Sequence, residues 1–178
     1  MEKSDEMLAT AAVQGDAKAF GLLIARHYDR IYRVAWRVLG AREAAEDMAQ
    51  DVCAALPAKL SSFRADAKFS TWLYTVTMNA ARDRLRRRAT RARANEGWAE
   101  TTKLAQAQAA EASADQEWLA EAMIALPEDL RETVALTLGE DLTHAEAAEA
   151  LGVSQGTVSW RMSEVKRRLR AMVEEQSV

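Results

Sequence analysis

The chain has 178 residues, room for one or two domains, and a formal charge of −3. A single cysteine, Cys53, excludes an intrachain disulfide framework, and seven glycines with two prolines argue against a turn-rich β fold and for long helices. No apolar run approaches the roughly 20 residues of a bilayer span. The polar, acidic start MEKSDEMLATAAVQGD lacks the form of a signal peptide, so a cytoplasmic, all-helical protein is expected.

The first long helical pattern runs from about Asp16 to Leu39, where Phe20, Ile24, His27, Ile31, Val34 and Val38 recur at three- and four-residue steps. Gly40 is placed to end it. A second helix is expected from about Arg42 to Leu56, with Ala45, Met48, Val52 and Leu56 on one side and Glu43, Glu46, Asp47 and Gln50 on the other. Residues 57–68 read as a connection. A third helix is expected to start near Ser70, as N-cap, and to run into an arginine cluster.

Residues 94–114 are Ala-rich and polar with little apolar periodicity, the composition of a flexible linker. Fully extended, it reaches roughly 70 Å at about 3.3 Å per residue. The periodic pattern resumes with Trp118, Leu119, Ala122 and Met123. Pro127 suits the first turn of the next helix, which carries Leu130, Val134 and Leu138. Thr143 and Glu146 have the spacing of a capping box, Gly152 ends the short helix that follows, and Ser154 caps a last helix to about Met172. The expected fold is therefore all-α: an N-terminal helical domain (1–93), a linker (94–114) and a C-terminal helix-turn-helix domain (115–178).

Charge is unevenly distributed. Residues 61–93 carry nine basic and two acidic side chains, whereas residues 94–130 carry one basic and eight acidic. A second basic run, Arg161, Lys166, Arg167, Arg168 and Arg170, has only Glu164 against it within 158–172. Basic clusters on helices suit phosphate contacts, and equally a solvated surface.

Residues 142–170 carry the most specific pattern. Ala148, Gly152 and Val158 supply the small residue, turn glycine and apolar anchor of a helix-turn-helix. In the last helix Val158, Met162, Val165, Leu169 and Met172 form a stripe to be buried, and Gly156, Trp160, Ser163, Arg167 and Arg170 fall opposite. On the third helix Phe69, Leu73, Val76 and Ala80 form the expected core stripe. Beside it Trp72, Asn79, Arg86 and Arg93 recur every seven residues, with Arg82 adjacent. An aromatic, an amide and arginines on one face can stack bases, bond their edges and hold phosphates. On periodicity alone, a core tryptophan with a solvated arginine-rich end is the better reading. The acidic face of the second helix fits a basic partner, or plain solvent.

Together the blocks AREAAEDMAQDVCAAL, FRADAKFSTWLYTVTMNAARDRLRRR, ALPEDLRETVAL and GVSQGTVSWRMSEVKRRL resemble the extracytoplasmic-function group of bacterial sigma factors, over about residues 16–172. The resemblance implies a subunit that binds core RNA polymerase and directs it to promoters. Glu46, Asp47, Gln50 and Asp51 then correspond to the part that docks on the clamp helices of the largest subunits, and a further contact to the flap region is implied. Phe63, Arg64, Lys68, Phe69, Trp72, Asn79, Arg82 and Arg86 correspond to readers of the −10 element, which trap an unstacked base. Gln155, Thr157, Ser159, Trp160, Arg161, Lys166 and Arg167 correspond to readers of the −35 duplex. An anti-sigma factor is an implied partner; no cofactor is.

Two other classes remain open on sequence. A stand-alone helix-turn-helix regulator accounts for the C-terminal half but not for the Trp72 stripe. A nucleic-acid enzyme has little to work with: His27 lies in an apolar stripe, His144 in the capping box, and neither a metal-ligand cluster nor a phosphate loop is present in the sequence.

Overall fold

The computed structural model describes residues 3–64, 67–94 and 114–176. Among these residues every regular element is a helix: α1 (Asp5–Val13), α2 (Ala17–Leu39), α3 (Arg42–Lys59), a 3₁₀ turn (Leu60–Ser62), α4 (Phe69–Ala94), α5 (Ala114–Ala125), α6 (Glu128–Thr137), α7 (His144–Leu151) and α8 (Gln155–Gln176). The expected linker falls, apart from its two end residues, outside the described residues.

Local chemistry accounts for most boundaries. Asp16 caps α2 by accepting from the Lys18 and Ala19 amides at 2.9 and 3.0 Å. Gly40 ends α2 in the left-handed conformation. Thr143 and Glu146 form the reciprocal capping box of α7. Gly152, at φ 69°, then turns the chain, so that the Val153 amide reaches the Ala148 carbonyl at 3.0 Å. Ser154 caps α8 by accepting from the Thr157 amide at 3.0 Å.

Three elements differ from expectation. Helix α1 has no sequence counterpart above; its burial rests on Leu8 and Ala9 alone, too few positions to make a period. Helix α3 continues through Pro57 to Lys59, because Leu56 and Leu60, on either side of the proline, are both buried and carry the chain along the core. Proline there removes a single amide near the helix end. Helix α4 starts at Phe69 rather than after Ser70. Its buried arc is also wider than the expected stripe, taking in Thr71, Tyr74, Thr77, Met78 and Ala81, while Val76 and Ala80 are half-buried. The cause is packing on two sides: α2 and α3 on one, α7 on the other. The buried Thr77 hydroxyl is satisfied by the Leu73 carbonyl at 2.8 Å.

The N-terminal group packs α1, α3 and α4 around α2, with Leu23, Ile31, Val34, Val38, Met48, Val52, Phe69 and Leu73 inside. In the C-terminal group α6, α7 and α8 enclose Leu130, Leu136, Ala147, Leu151, Val158, Met162 and Val165. Each large aliphatic side chain so enclosed contributes roughly 1.5–3 kcal/mol of transfer free energy. The two groups also pack on each other, α7 against α4 and α5 and α6 against α2.

Candidate nucleic-acid interface

The N-terminal site is built at the start of α4. Phe63, Phe69 and Trp72 form an aromatic cluster with ring centroids 5.5–5.6 Å apart, Phe63 standing edge-on to Phe69. Phe69 is fully buried, so of the residues expected to touch DNA it supports the site from below. Trp72 is half-buried and walls a pocket of about 320 Å³, lined also by Ser62, Arg64, Ala67, Thr71, Thr75 and Glu149. One aromatic face, three hydroxyls and a guanidinium are suited to stack a planar base and bond its edge. Asn79 and Arg86 lie exposed further along α4, where Arg86 is paired with Asp83.

Two of the expected DNA contacts are engaged by the chain's own C-terminal domain. Both arms of the Arg82 guanidinium bind Glu132 at 2.7 Å. Lys68 Nζ binds Glu146 Oε1 at 2.7 Å. That bond, with donation from the Thr143 amide and hydroxyl, takes the Glu146 pKa down to about 2. A third carboxylate, Glu140, is 2% exposed and accepts from Arg33 (3.0 and 2.9 Å), Arg37 (2.8 Å) and the Tyr74 hydroxyl (3.1 Å). Burial opposes its ionisation, but the bonds from Arg33 and Arg37 outweigh that and hold its pKa below the usual carboxylate range. Glu149, from α7, meanwhile closes one side of the Trp72 pocket.

The C-terminal site is the outer face of α8. Val158, Met162 and Val165 are buried as expected, Leu169 and Met172 further along are only half-buried because the core ends before them, and Gln155, Gly156, Ser159, Trp160, Ser163, Lys166, Arg167 and Arg170 are exposed. The Trp160 indole is 63% exposed. Ser159 Oγ lies 2.9 Å from His144 Nδ1, and Thr157 Oγ1 lies 2.8 Å from Ser154 Oγ within the helix cap. Arg167 bonds Glu164 at 2.8 and 2.6 Å and Arg168 bonds it at 2.8 Å; these hydrogen bonds lower the Glu164 pKa to about 2. Arg161 does not join this face. Its side chain is 15% exposed and points toward Asp129 at 3.4 Å, bracing α8 against the start of α6. The periodicity of α8 places Arg161 between the inner and outer faces, and packing decides for the inner side.

On α3, Asp47, Gln50 and Asp51 are exposed, and Glu46 is half-exposed and bonded to Arg42 at 3.0 Å. Arg84 of α4 bridges Asp47 (3.0 Å) and Asp51 (3.2 Å), so these carboxylates share one side of the helix. The residues that sequence reasoning missed are the carboxylates Glu132, Glu140 and Glu149 and the α1 pair Asp5 and Glu6. Glu146 was read only as a cap. Among the described residues no group of three or more potential metal ligands comes together, and no helix is long and apolar enough to cross a membrane.

The family model described as Sigma-70 region 2 matches residues 23–91, and that described as Sigma-70, region 4 matches residues 122–171. The chain is 33% identical over 170 residues to the ECF RNA polymerase sigma factor SigM of Mycobacterium tuberculosis, covering 94% of this chain and 84% of the relative. It is 37% identical over 183 residues to the RNA polymerase sigma factor NccH of Alcaligenes xylosoxydans xylosoxydans, covering 98% and 97%. The solved structure of CnrH in complex with the cytosolic domain of CnrY matches with a TM-score of 0.72 at 28% identity, covering 97% of this chain and 99% of that one.

Proposed function

Since the chain belongs to the sigma-70 family and, within it, to the extracytoplasmic-function group of RNA polymerase sigma factors, we propose the following division of labour along it. As a sigma factor it binds core RNA polymerase and directs promoter-specific initiation; it acts by binding and positioning, in the cytoplasm with the polymerase. The observation that carries this is the presence on one chain of both matched regions, 23–91 and 122–171.

The domain 1–93 docks on core and opens the −10 element. The exposed carboxylates Asp47 and Asp51, with Glu46 and Gln50, supply an acidic face for the basic surface of the clamp helices. Arg84 neutralises part of that face until the partner arrives. A base leaving the duplex loses stacking worth a few kcal/mol, and the Trp72 pocket returns it as stacking on the indole, hydrogen bonds from Arg64 and Thr71, and acceptance by the Ser62 and Thr75 hydroxyl oxygens, whose own protons go to the Lys59 and Thr71 carbonyls. Lys68, Arg82 and Arg86 then hold the phosphates of the displaced strand.

The domain 115–178, also in contact with the flap region, presents α8 to the −35 duplex. Gln155, Ser159 and Trp160 face the groove from its first two turns; Lys166 and Arg167 meet the backbone. Two sites on one chain raise apparent affinity by making the second contact intramolecular. The arrangement with α7 on α4 is a closed form, because Glu132, Glu146 and Glu149 occupy the positions that DNA must take. Docking on core has to separate the two domains. The CnrH structure is a complex with the cytosolic domain of CnrY, and an anti-sigma factor is proposed as a partner here that holds the closed form.

Run-off transcription with bacterial core polymerase and a randomised promoter library tests the reading. Core-dependent transcripts downstream of a two-part consensus are expected. Tight duplex binding by the protein alone, with no transcript from core, would instead favour a free-standing regulator.

A further inference from the structure

Helix α1 lies outside both matched regions, yet its first two residues reach the base of the aromatic cluster, Glu6 at the Phe69 amide and Asp5 at His27, whose ring packs on Phe69. Glu6 Oε1 accepts from the Phe69 amide at 3.2 Å. Phe69 is the first residue of α4, and its amide has no partner within that helix. Glu6 thus supplies from a distant helix an acceptor for the first amide of α4, with a negative charge at the positive end of the helix dipole. Bonds from its own amide and from the Phe69 amide hold the Glu6 carboxyl below its ordinary pKa.

Asp5 works beside it. Its carboxylate lies 2.7 Å from His27 Nε2 and 2.8 Å from Arg26 Nη1. His27 is buried, and burial lowers its pKa although Asp5 acts to raise it; because the Asp5 carboxylate can only accept, Nε2 is the donor in their bond. The His27 ring stands 5.2 Å from that of Phe69. A continuous path of contact therefore runs from Asp5 through His27 and Phe69 to Trp72 and Phe63.

We infer that Glu6 and Asp5 are positioning residues for strand opening: from behind, they fix the first turn of α4 and the Phe63–Phe69–Trp72 cluster in the arrangement that receives an unstacked base. The inference rests on the assignment of the Trp72 pocket to the −10 strand. A preformed pocket spares the incoming strand the entropy of ordering those side chains. Neither the Asp47–Asp51 face of α3 nor the outer face of α8 touches either carboxylate, so core docking and duplex reading are independent of them.

The test uses the full chain with core polymerase on a promoter selected by the wild-type protein. It reads core affinity, closed-complex affinity on duplex DNA and open-complex lifetime for Glu6→Ala, Glu6→Gln and Trp72→Ala. Glu6→Ala is expected to shorten the open complex about five- to tenfold, the loss that a removed helix cap carries, with the two affinities unchanged. Glu6→Gln, which keeps an acceptor oxygen, is expected to retain most of the lifetime. An unchanged lifetime in Glu6→Ala, an equal loss in Glu6→Gln, or a parallel fall in all three readings overturns the positioning role. If Trp72→Ala leaves the lifetime unchanged, the pocket reading itself fails and takes the inference with it.

Discussion

Arg82 and Glu132 meet in a two-point ion pair across the domain boundary, both contacts at 2.7 Å, with the carboxylate almost completely removed from solvent. The Arg82 side chain keeps a third of its surface in water, so the pair can separate without stranding a buried cation. Its geometry is the fork that an arginine offers to a phosphate. Under the proposed reading, the C-terminal domain thus presents to Arg82 the charge that the DNA backbone would present.

Glu132→Gln keeps the shape and removes the charge. The closed arrangement should weaken by roughly 1.5–3 kcal/mol, the range for hydrogen bonds to charged groups. Small-angle scattering of the free protein should show a larger radius of gyration, with helix content unchanged by circular dichroism. The same variant should bind a single-stranded −10 oligonucleotide more tightly than wild type. An unchanged radius and unchanged affinity would show that this pair does not govern the contact.

The contact should also respond to acid. Glu140 titrates below its ordinary value of 4.5 in the folded chain. Its ionised form therefore contributes to domain contact fully above pH 4.5, and the contribution is lost as pH falls through the depressed value. Glu146 follows the same sign, from 4.5 to about 2. Fluorescence energy transfer between labels on the two domains should stay constant from pH 8 to 5 and fall below 4.5. Glu140→Gln should already start lower and change less in that window.

How much of this was readable beforehand depended on the range of the signal. Boundaries set by neighbours in sequence were visible: Asp16, Gly40, the Thr143–Glu146 box, Gly152 and Ser154 all act within four residues. The buried stripe of α8 was visible because one face of that helix meets one core. Helix α4 was read with too narrow a stripe because it is packed on two sides. Glu140 and Glu132 carry no local signal, since their partners lie 50 or more residues away in sequence. Helix α1 escaped notice because only Leu8 and Ala9 are buried on it, and the role of Glu6 because it caps a helix 63 residues on.

The Trp72 indole should dominate single-strand affinity. Base–aromatic stacking is worth about 1–3 kcal/mol, so Trp72→Ala should weaken binding of a −10 single strand at least about fivefold. Trp72→Phe should recover part of it, because Phe63 and Phe69 remain as neighbours. Core affinity should be unaffected. Equal losses in core binding would mark Trp72 as a packing residue only.

Arg84 offers a test of the acidic face that does not rely on charge reversal alone. It bridges Asp47 and Asp51, so Arg84→Ala should leave both carboxylates free and keep or raise affinity for core. Asp47→Lys with Asp51→Lys should lower that affinity strongly, by pull-down or fluorescence anisotropy. If Arg84→Ala loses core binding as completely as the double reversal, Arg84 rather than the carboxylates meets the polymerase.

Arg161 and Arg167 carry the same charge six residues apart, yet the structure assigns them different work. Arg167 lies on the exposed face of α8, and its partner Glu164 is on the same helix, so a phosphate can compete for the guanidinium. Arg167→Ala should lower affinity for promoter duplex about equally across sequences and reduce the salt slope by about 1. Arg161 is mostly buried beside Asp129 of α6. Arg161→Ala should lower the melting temperature of the C-terminal domain, because it removes the packed stem and the brace between α6 and α8, while the salt slope stays at the wild-type value. Titrations at several salt concentrations, paired with thermal melts, separate the two. A reduced salt slope in Arg161→Ala with no change in melting would return Arg161 to the DNA face, against its packing in the free protein.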